Sequence, residues 1–90
     1  MRDDEFEWED AKAATNFRKH KVTFEQARAA YDDPDHVEVD DPDPDEPRFN
    51  RLCMLKQDLL VVTYTERGNR VRIIAARPAT KHEQQTYFGH

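Results

Sequence analysis

Apolar residues near the start of the chain alternate with acidic ones. Phe6 and Trp8 flank Glu7, and this period of two residues is typical of a short strand with one buried face. Asp10 belongs to the residue types that commonly cap helices, so it predicts a helix that runs to about Lys19. The N-terminal segment therefore predicts a strand followed by a helix.

Apolar residues at helical spacing come next. Ala13, Ala14 and Phe17 are expected to form the inner side of the first helix. The segment from Thr23 to Gln26 is a capping box, in which side chains satisfy free backbone amides, and it predicts a second helix to about Tyr31. The inward residues of this second helix are expected to be Phe24, Ala27 and Tyr31.

The second half of the chain is rich in β-branched, aromatic and long apolar residues. Residues 36–40 predict a short edge strand, and residues 48–55, 59–65 and 70–76 predict an antiparallel meander with a hairpin turn at 66–69. Residues 59–62 form an uninterrupted apolar run, which indicates a central strand covered on both faces.

A final capping box at residues 80–83 predicts a short terminal helix to about Phe88. Together the elements predict one α+β domain over residues 1–90, with a sheet of about four strands packed by two N-terminal helices. The proline-rich acidic stretch at 40–47 predicts an exposed loop, because proline cannot donate to a sheet and the carboxylates repel one another.

Composition excludes several kinds of chemistry. The chain has no serine, two glycines and one cysteine, which rules out a serine hydrolase triad, a glycine-rich nucleotide cradle and a disulfide. The four histidines lack the spacing of zinc motifs, so we expect no metal and no cofactor. The acidic N-terminus does not resemble a signal peptide and the apolar runs are short, so we expect a cytoplasmic protein without a membrane partner.

Charge is divided unevenly along the chain, with a net charge of −9 over residues 1–50 and +4 over residues 51–90. The late strands carry Arg67, Arg70, Arg72 and Arg77 with one nearby carboxylate, Glu66. Guanidinium groups match phosphate oxygens, so this cluster is suited to an RNA backbone or to the charge of a phosphoryl transition state. The alternative is that the arginines pair with the acidic N-terminal half.

A second candidate lies at the end of the first helix, in Lys19, His20 and Lys21. These cations could simply complement the helix dipole. Alternatively, the His20 imidazole could move a proton to or from a ribose or phosphate oxygen. Trp8 and Cys53 are expected in the core, whereas Tyr64 and Tyr87 are either core residues or aromatic rings that stack on an RNA base.

Four ordered motifs resemble the BrnT family of toxins. They are FEW at 6–8, KxxxNxxKHxVxFE at 12–25, LLVVxYTERG at 59–68 and RIIxARxAT at 72–80. The chain departs from the family pattern between Arg48 and Leu59, where family members commonly carry an Ile-Gly step and a glycine-containing turn. The resemblance nevertheless extends over nearly the whole chain.

The resemblance implies a RelE-like fold and a ribonuclease toxin that cleaves RNA without metal and slows translation. It also implies a BrnA-type antitoxin whose DNA-binding half connects the complex to its operator. A non-catalytic protein-binding module within such a repressor complex is the alternative.

Carried onto this chain, the resemblance and the residue chemistry together nominate two sets of residues. The catalytic candidates are Lys19, His20, Glu66, Arg67 and Arg77. The substrate-binding candidates are Lys12, Tyr64, Arg70, Arg72 and Tyr87. We expect His20 to act as general acid or base, Arg67 and Arg77 to hold the phosphate, and Lys19 to support the transition state, while Glu66 orients an arginine or serves as another base.

Overall fold

A computed structural model describes residues 1–40 and 47–89 of the chain. Within these residues the elements are β1 (Phe6–Glu7), α1 (Asp10–His20), α2 (Phe24–Tyr31), β2 (Val37–Asp40), β3 (Phe49–Leu55), β4 (Asp58–Arg67), β5 (Arg70–Pro78) and α3 (Lys81–Phe88). The predicted α+β fold is confirmed. Most of the acidic stretch predicted as a loop, residues 41–46, lies outside the described residues.

The strands form one mixed sheet in the order β1-β5-β4-β3-β2. Strands β2 to β5 pair antiparallel, as predicted, whereas β1 pairs parallel to β5 with Phe6 opposite Val71. The described sheet therefore has five strands rather than about four, because the short N-terminal strand joins its edge. In the part of the chain that the structure describes, the helices are too short or too polar to cross a membrane.

Both tight hairpins turn through a residue with positive φ. Gly68 has φ 60° in the β4–β5 turn, where the absence of a side chain removes the steric penalty. Lys56 has φ 58° in the β3–β4 turn, next to the pair Leu55 and Asp58. The segment that departs from the family pattern therefore still forms a regular hairpin.

The core lies between α2 and one face of the sheet. Phe24, Ala27 and Ala30 are fully buried, and Tyr31 is half-buried against the same cluster. Trp8 meets Phe24 edge to face, with ring centroids 5.8 Å apart. The predicted inward residues of α2 and the predicted core position of Trp8 are confirmed, and both predicted capping boxes are present.

The predicted inner side of α1 is wrong in two of its three positions. Phe17 is 44% exposed and Ala14 is exposed, whereas Ala13 packs against the core. The buried residue of α1 is Asn16, whose side-chain amide donates to Ala76 O at 2.8 Å and accepts from Ala76 N at 3.0 Å. Asn16 thus pairs with the edge of β5 as a strand would. The cap position of α1 is occupied by Glu9, not by Asp10.

The other face of the sheet carries α3. Leu52 and Val61 are buried on this face, which confirms that the apolar run in β4 is covered on both sides. Arg77 is opposite Val61 in the sheet and forms two hydrogen bonds to Glu83 of α3, each 2.8 Å long. These contacts hold the C-terminal helix against the strand that precedes it.

Candidate functional site

Two adjoining cavities lie between α1 and the strands β4 and β5. One, of about 330 Å³, is lined by Lys12, Lys19 and His20 of α1 together with Ile74 of β5. The other, of about 320 Å³, is lined by Arg67 and Arg72, and it shares Lys12 and Ile74 with the first. The shared residues make the cavities one continuous surface. We call this surface the basic groove, and its charged and titratable residues are Lys12, Lys19, His20, Arg48, Arg67 and Arg72.

The pairing of Asn16 with β5 positions the groove. Because Asn16 holds α1 against the edge of β5, the helical residues around it face the strand residues Ile74 and Ala75. Lys12 and Lys19 lie roughly one turn before and after Asn16 on the helix. A single buried amide therefore brings the cations of α1 beside the arginines of the late hairpin.

The charges of the groove differ in how they are compensated. Lys12, Lys19 and Arg67 are exposed, and no described residue forms a hydrogen bond or ion pair with their side chains. Arg72, by contrast, donates to Glu7 at 2.8 Å and to Glu9 at 2.6 Å. The groove thus combines three exposed cations that have no partner among the described residues with the Arg72 guanidinium, which is paired with two carboxylates.

Strand alternation places Tyr64 and Glu66 on the sheet face opposite to the groove. Thr65 and Arg67 line the groove, and their neighbours in β4 point the other way. Tyr64 is 4% exposed and donates to Glu38 at 2.8 Å, and burial followed by this bond raises its pKa. Of the two alternatives for Tyr64, the structure supports the core position, and it does not bring the candidates Tyr64 and Glu66 into the groove.

Three further candidates lie outside the groove. Arg70 donates to the Asp3 carbonyl at 2.7 Å. Arg77 is held by Glu83, and that hydrogen bond lowers the pKa of Glu83 to about 2. Tyr87 donates to Asp33 at 2.6 Å, and this bond raises the pKa of Tyr87 to about 12 because it stabilises the protonated phenol. Each of these three residues therefore has a hydrogen-bond partner within the fold.

Arg48 is a groove residue that the sequence reasoning did not include among the site candidates. The alternation of side chains along the predicted strand at 48–55 could have identified it. Arg48 directly precedes β3, and the alternation of β3 continued back by one residue puts it on the face of Leu52. It lies beside Thr65, next to the pair Phe49 and Tyr64.

A second polar cluster, which we call the Arg51 cluster, consists of Tyr31, Glu38, Arg51 and Tyr64. The Arg51 guanidinium lies 3.7 Å from the centre of the Tyr31 ring and donates to Tyr31 O at 2.8 Å and to Glu38 at 2.5 Å. Its side chain is only 13% exposed. This cluster lies on the face of the sheet that packs against α2, and its hydrogen bonds and ion pair connect α2, β2, β3 and β4.

Cys53 is fully buried, and burial raises the pKa of its thiol to about 12. A thiol in this environment is a poor nucleophile, so the predicted core role of Cys53 is confirmed.

The groove offers an imidazole and several cations as its chemical groups. This set suits proton transfer next to a phosphate.

Comparison with known proteins agrees with this chemistry. No curated protein sequence matches the chain. A family model described as the ribonuclease toxin BrnT of type II toxin-antitoxin systems matches residues 8–83, a segment that includes the whole of the basic groove. The chain belongs to the BrnT family of ribonuclease toxins of type II toxin-antitoxin systems.

Proposed function

We propose that the chain is a metal-independent endoribonuclease and that RNA is bound and cleaved in the basic groove. The observation that carries this proposal is the continuity of the groove. His20 and Lys19 line one half, Arg67 and Arg72 line the other, and Lys12 belongs to both. A scissile phosphate beside His20 would therefore have Lys19 next to it, and the cations from Lys12 to Arg67 would continue along the groove from there.

Each groove residue has a role that follows from its chemistry. His20 exchanges a proton with the 2′-oxygen or with the leaving 5′-oxygen, because an imidazole can both accept and donate a proton. Lys19 and Arg67 stabilise the negative charge that grows on the phosphate oxygens as the 2′-oxygen attacks phosphorus. Lys12 and Arg72 bind the neighbouring backbone phosphates.

Metal independence follows from the charge of the proposed site. In metal-dependent nucleases a divalent cation stabilises the phosphate oxygens, and carboxylates hold that cation. Here lysine and arginine supply the positive charge directly, while Glu7 and Glu9, the carboxylates beside the groove, are bound by Arg72. Cleavage should therefore continue in the presence of EDTA.

The test is RNA cleavage by the purified chain in EDTA, compared with His20→Ala. We expect a loss of about 100-fold or more in the rate, within the range for general acid-base catalysis, at unchanged thermal stability. His82→Ala is the matched control, because His82 is exposed on α3 and does not line the groove. Full activity of folded His20→Ala would contradict the assigned role.

We further propose that a BrnA-type antitoxin neutralises the chain by covering the groove, and that operator DNA is contacted through the antitoxin. Free toxin would then inhibit translation by degrading RNA. Expression of the chain alone should stop growth with loss of RNA, and co-expression of the antitoxin should restore growth. Growth arrest by folded His20→Ala equal to that of the unaltered chain would instead favour a non-catalytic binding role.

A further inference from the structure

A third cavity, of about 270 Å³, lies on the other side of His20 from the basic groove. Its walls include the apolar side chains of Val22, Leu55 and Leu60, and its polar groups come from His20, Lys21, Gln26 and Asp58. We call it the His20 pocket. Because His20 lines both this pocket and the groove, a ligand with a charged part in the groove can extend past the imidazole into a less polar space.

The walls of the His20 pocket are held in place by the core. Val22 and Leu60 are each 5% exposed, and the Val22 carbonyl accepts a hydrogen bond from Asn16 at 3.0 Å. The same amide positions α1 along the groove. The pocket and the groove are therefore both positioned by Asn16. A ligand that binds in both causes little loss of conformational entropy in the protein, because their walls are already ordered.

The polar groups of the pocket have a defined hydrogen-bonding character. The Gln26 side-chain oxygen accepts from Thr23 N at 2.8 Å, which leaves the Gln26 amide nitrogen as a donor. The Asp58 carboxylate is an acceptor, and no described residue forms a hydrogen bond with it. The pocket thus presents the Gln26 amide and the Lys21 ammonium as donors and the Asp58 carboxylate as an acceptor, around apolar walls.

Among nucleobases, guanine complements this arrangement best. Its Watson–Crick edge carries a carbonyl oxygen for the Gln26 donor and two N–H groups for the Asp58 carboxylate. Adenine lacks that carbonyl oxygen. Cytosine and uracil each carry a carbonyl oxygen, but neither has two adjacent N–H groups next to it. A cavity of about 270 Å³ is smaller than most sites for drug-sized ligands, which matches one planar base better than a dinucleotide.

We propose that the His20 pocket binds the guanine base of the nucleotide whose phosphate lies at His20, so that the chain cleaves RNA next to guanosine. The assumption that the ligand is RNA rests on the proposed function. Guanine recognition itself can be measured without cleavage. The backbone phosphates would follow the groove, while the base would turn into the pocket.

The test is binding of guanosine and adenosine 5′-monophosphate to the purified chain by NMR titration. Guanosine monophosphate should bind roughly tenfold or more tightly, with chemical-shift changes at Val22, Leu55 and Leu60. Asp58→Asn should abolish the preference, although loss of a negative charge near a phosphate would by itself strengthen binding of both nucleotides. Asp4→Asn, the same change at an exposed position outside the pocket, should keep the preference.

A second variant tests the volume of the pocket. Leu55→Trp should fill it, weaken guanosine monophosphate binding and leave an abasic oligonucleotide bound in the groove as before. Equal affinity for the two nucleotides, or an unchanged preference in Asp58→Asn, would contradict the proposal that the His20 pocket binds guanine. Guanosine selectivity in a chain that cleaves no RNA would support the pocket and contradict the proposed function, so the two failures are distinguishable.

Discussion

The Arg51 cluster and the basic groove lie on opposite faces of the same sheet and use similar residue types. In the Arg51 cluster, the guanidinium is 13% exposed and bound by Tyr31 and Glu38. In the groove, Arg67 and Lys12 are exposed, and their side chains donate no hydrogen bond to the described residues and form no ion pair with them. The difference shows that a cation whose partners are all in the fold serves stability, whereas one left open to solvent can bind a ligand.

Energetics support this distinction. Removing a largely buried charge leaves its partners without compensation, and removing an exposed charge changes stability by little. Uncompensated cations that face one another are unfavourable in the free protein, and an anion relieves that repulsion. The β3–β4 hairpin therefore contains one arginine, Arg51, that stabilises the fold and another, Arg67, that is free to bind an anion.

The largest expected effect is that of Arg51→Ala on stability. The change removes the cation from between Tyr31 and Tyr64 and leaves Glu38 without its ion pair. We expect the free energy of unfolding in urea to fall by about 3 kcal/mol. The control is Arg2→Ala, at an exposed position. A loss below about 1 kcal/mol would remove the basis for calling the Arg51 cluster structural.

Arg67→Ala should show the opposite pattern. We expect RNA cleavage to slow by roughly 10-fold to 100-fold, because one stabilising cation of the transition state is lost. The free energy of unfolding should change by less than about 0.5 kcal/mol, since Arg67 is exposed. Single-turnover cleavage and urea unfolding measure the two quantities. A stability loss comparable to that of Arg51→Ala would show that Arg67 is a structural residue.

The pair Arg77 and Glu83 predicts a pH dependence of stability. Arg77 lowers the pKa of Glu83 from 4.5 to about 2, so the folded protein favours the carboxylate. The stabilisation is present above pH 4.5 and is lost as the pH falls towards 2. Because Arg77 is 40% exposed, solvent screening reduces the contribution to about 1 kcal/mol.

Glu83→Gln should therefore remove about 1 kcal/mol at neutral pH and weaken the decline of stability in acid. The measurement is urea unfolding at several pH values, with Glu25→Gln as the control at an exposed position of α2. A variant that keeps the original acid dependence would show that the ion pair does not hold α3.

The smallest expected effect concerns Lys12. If Lys12 binds a backbone phosphate, Lys12→Ala should weaken RNA binding similarly for all sequences and reduce the slope of log affinity against log salt by about 1. Lys81→Ala is the control, because Lys81 is exposed on α3 and does not line the groove. An unchanged slope in Lys12→Ala would place the phosphate path elsewhere.

Local patterns in the sequence were sufficient to predict most of the elements. The capping boxes at Thr23 and Thr80, the turn at Gly68 and the apolar run in β4 each depend on interactions within a few residues. Such interactions are encoded by neighbouring residues, so the helices and hairpins follow from them without knowledge of the rest of the fold.

Contacts between distant segments were decided only by the tertiary structure. The helical period placed Phe17 inside, but Asn16 pairs with Ala76, 60 residues later, and turns Phe17 towards solvent. Likewise, the pairing of the arginines with the acidic N-terminal half was one of two alternatives in the sequence. The fold confirms it for Arg72, which binds Glu7 and Glu9, but not for the exposed Arg67.

What the sequence determined by itself is the α+β element order, the family and a supply of cations beside an imidazole. What only the folded chain decided is which of those cations remain open and which side of the sheet they share. The physical reason is that hydrogen bonds and ion pairs are satisfied between residues far apart in sequence, and satisfaction by a distant partner leaves no local signature.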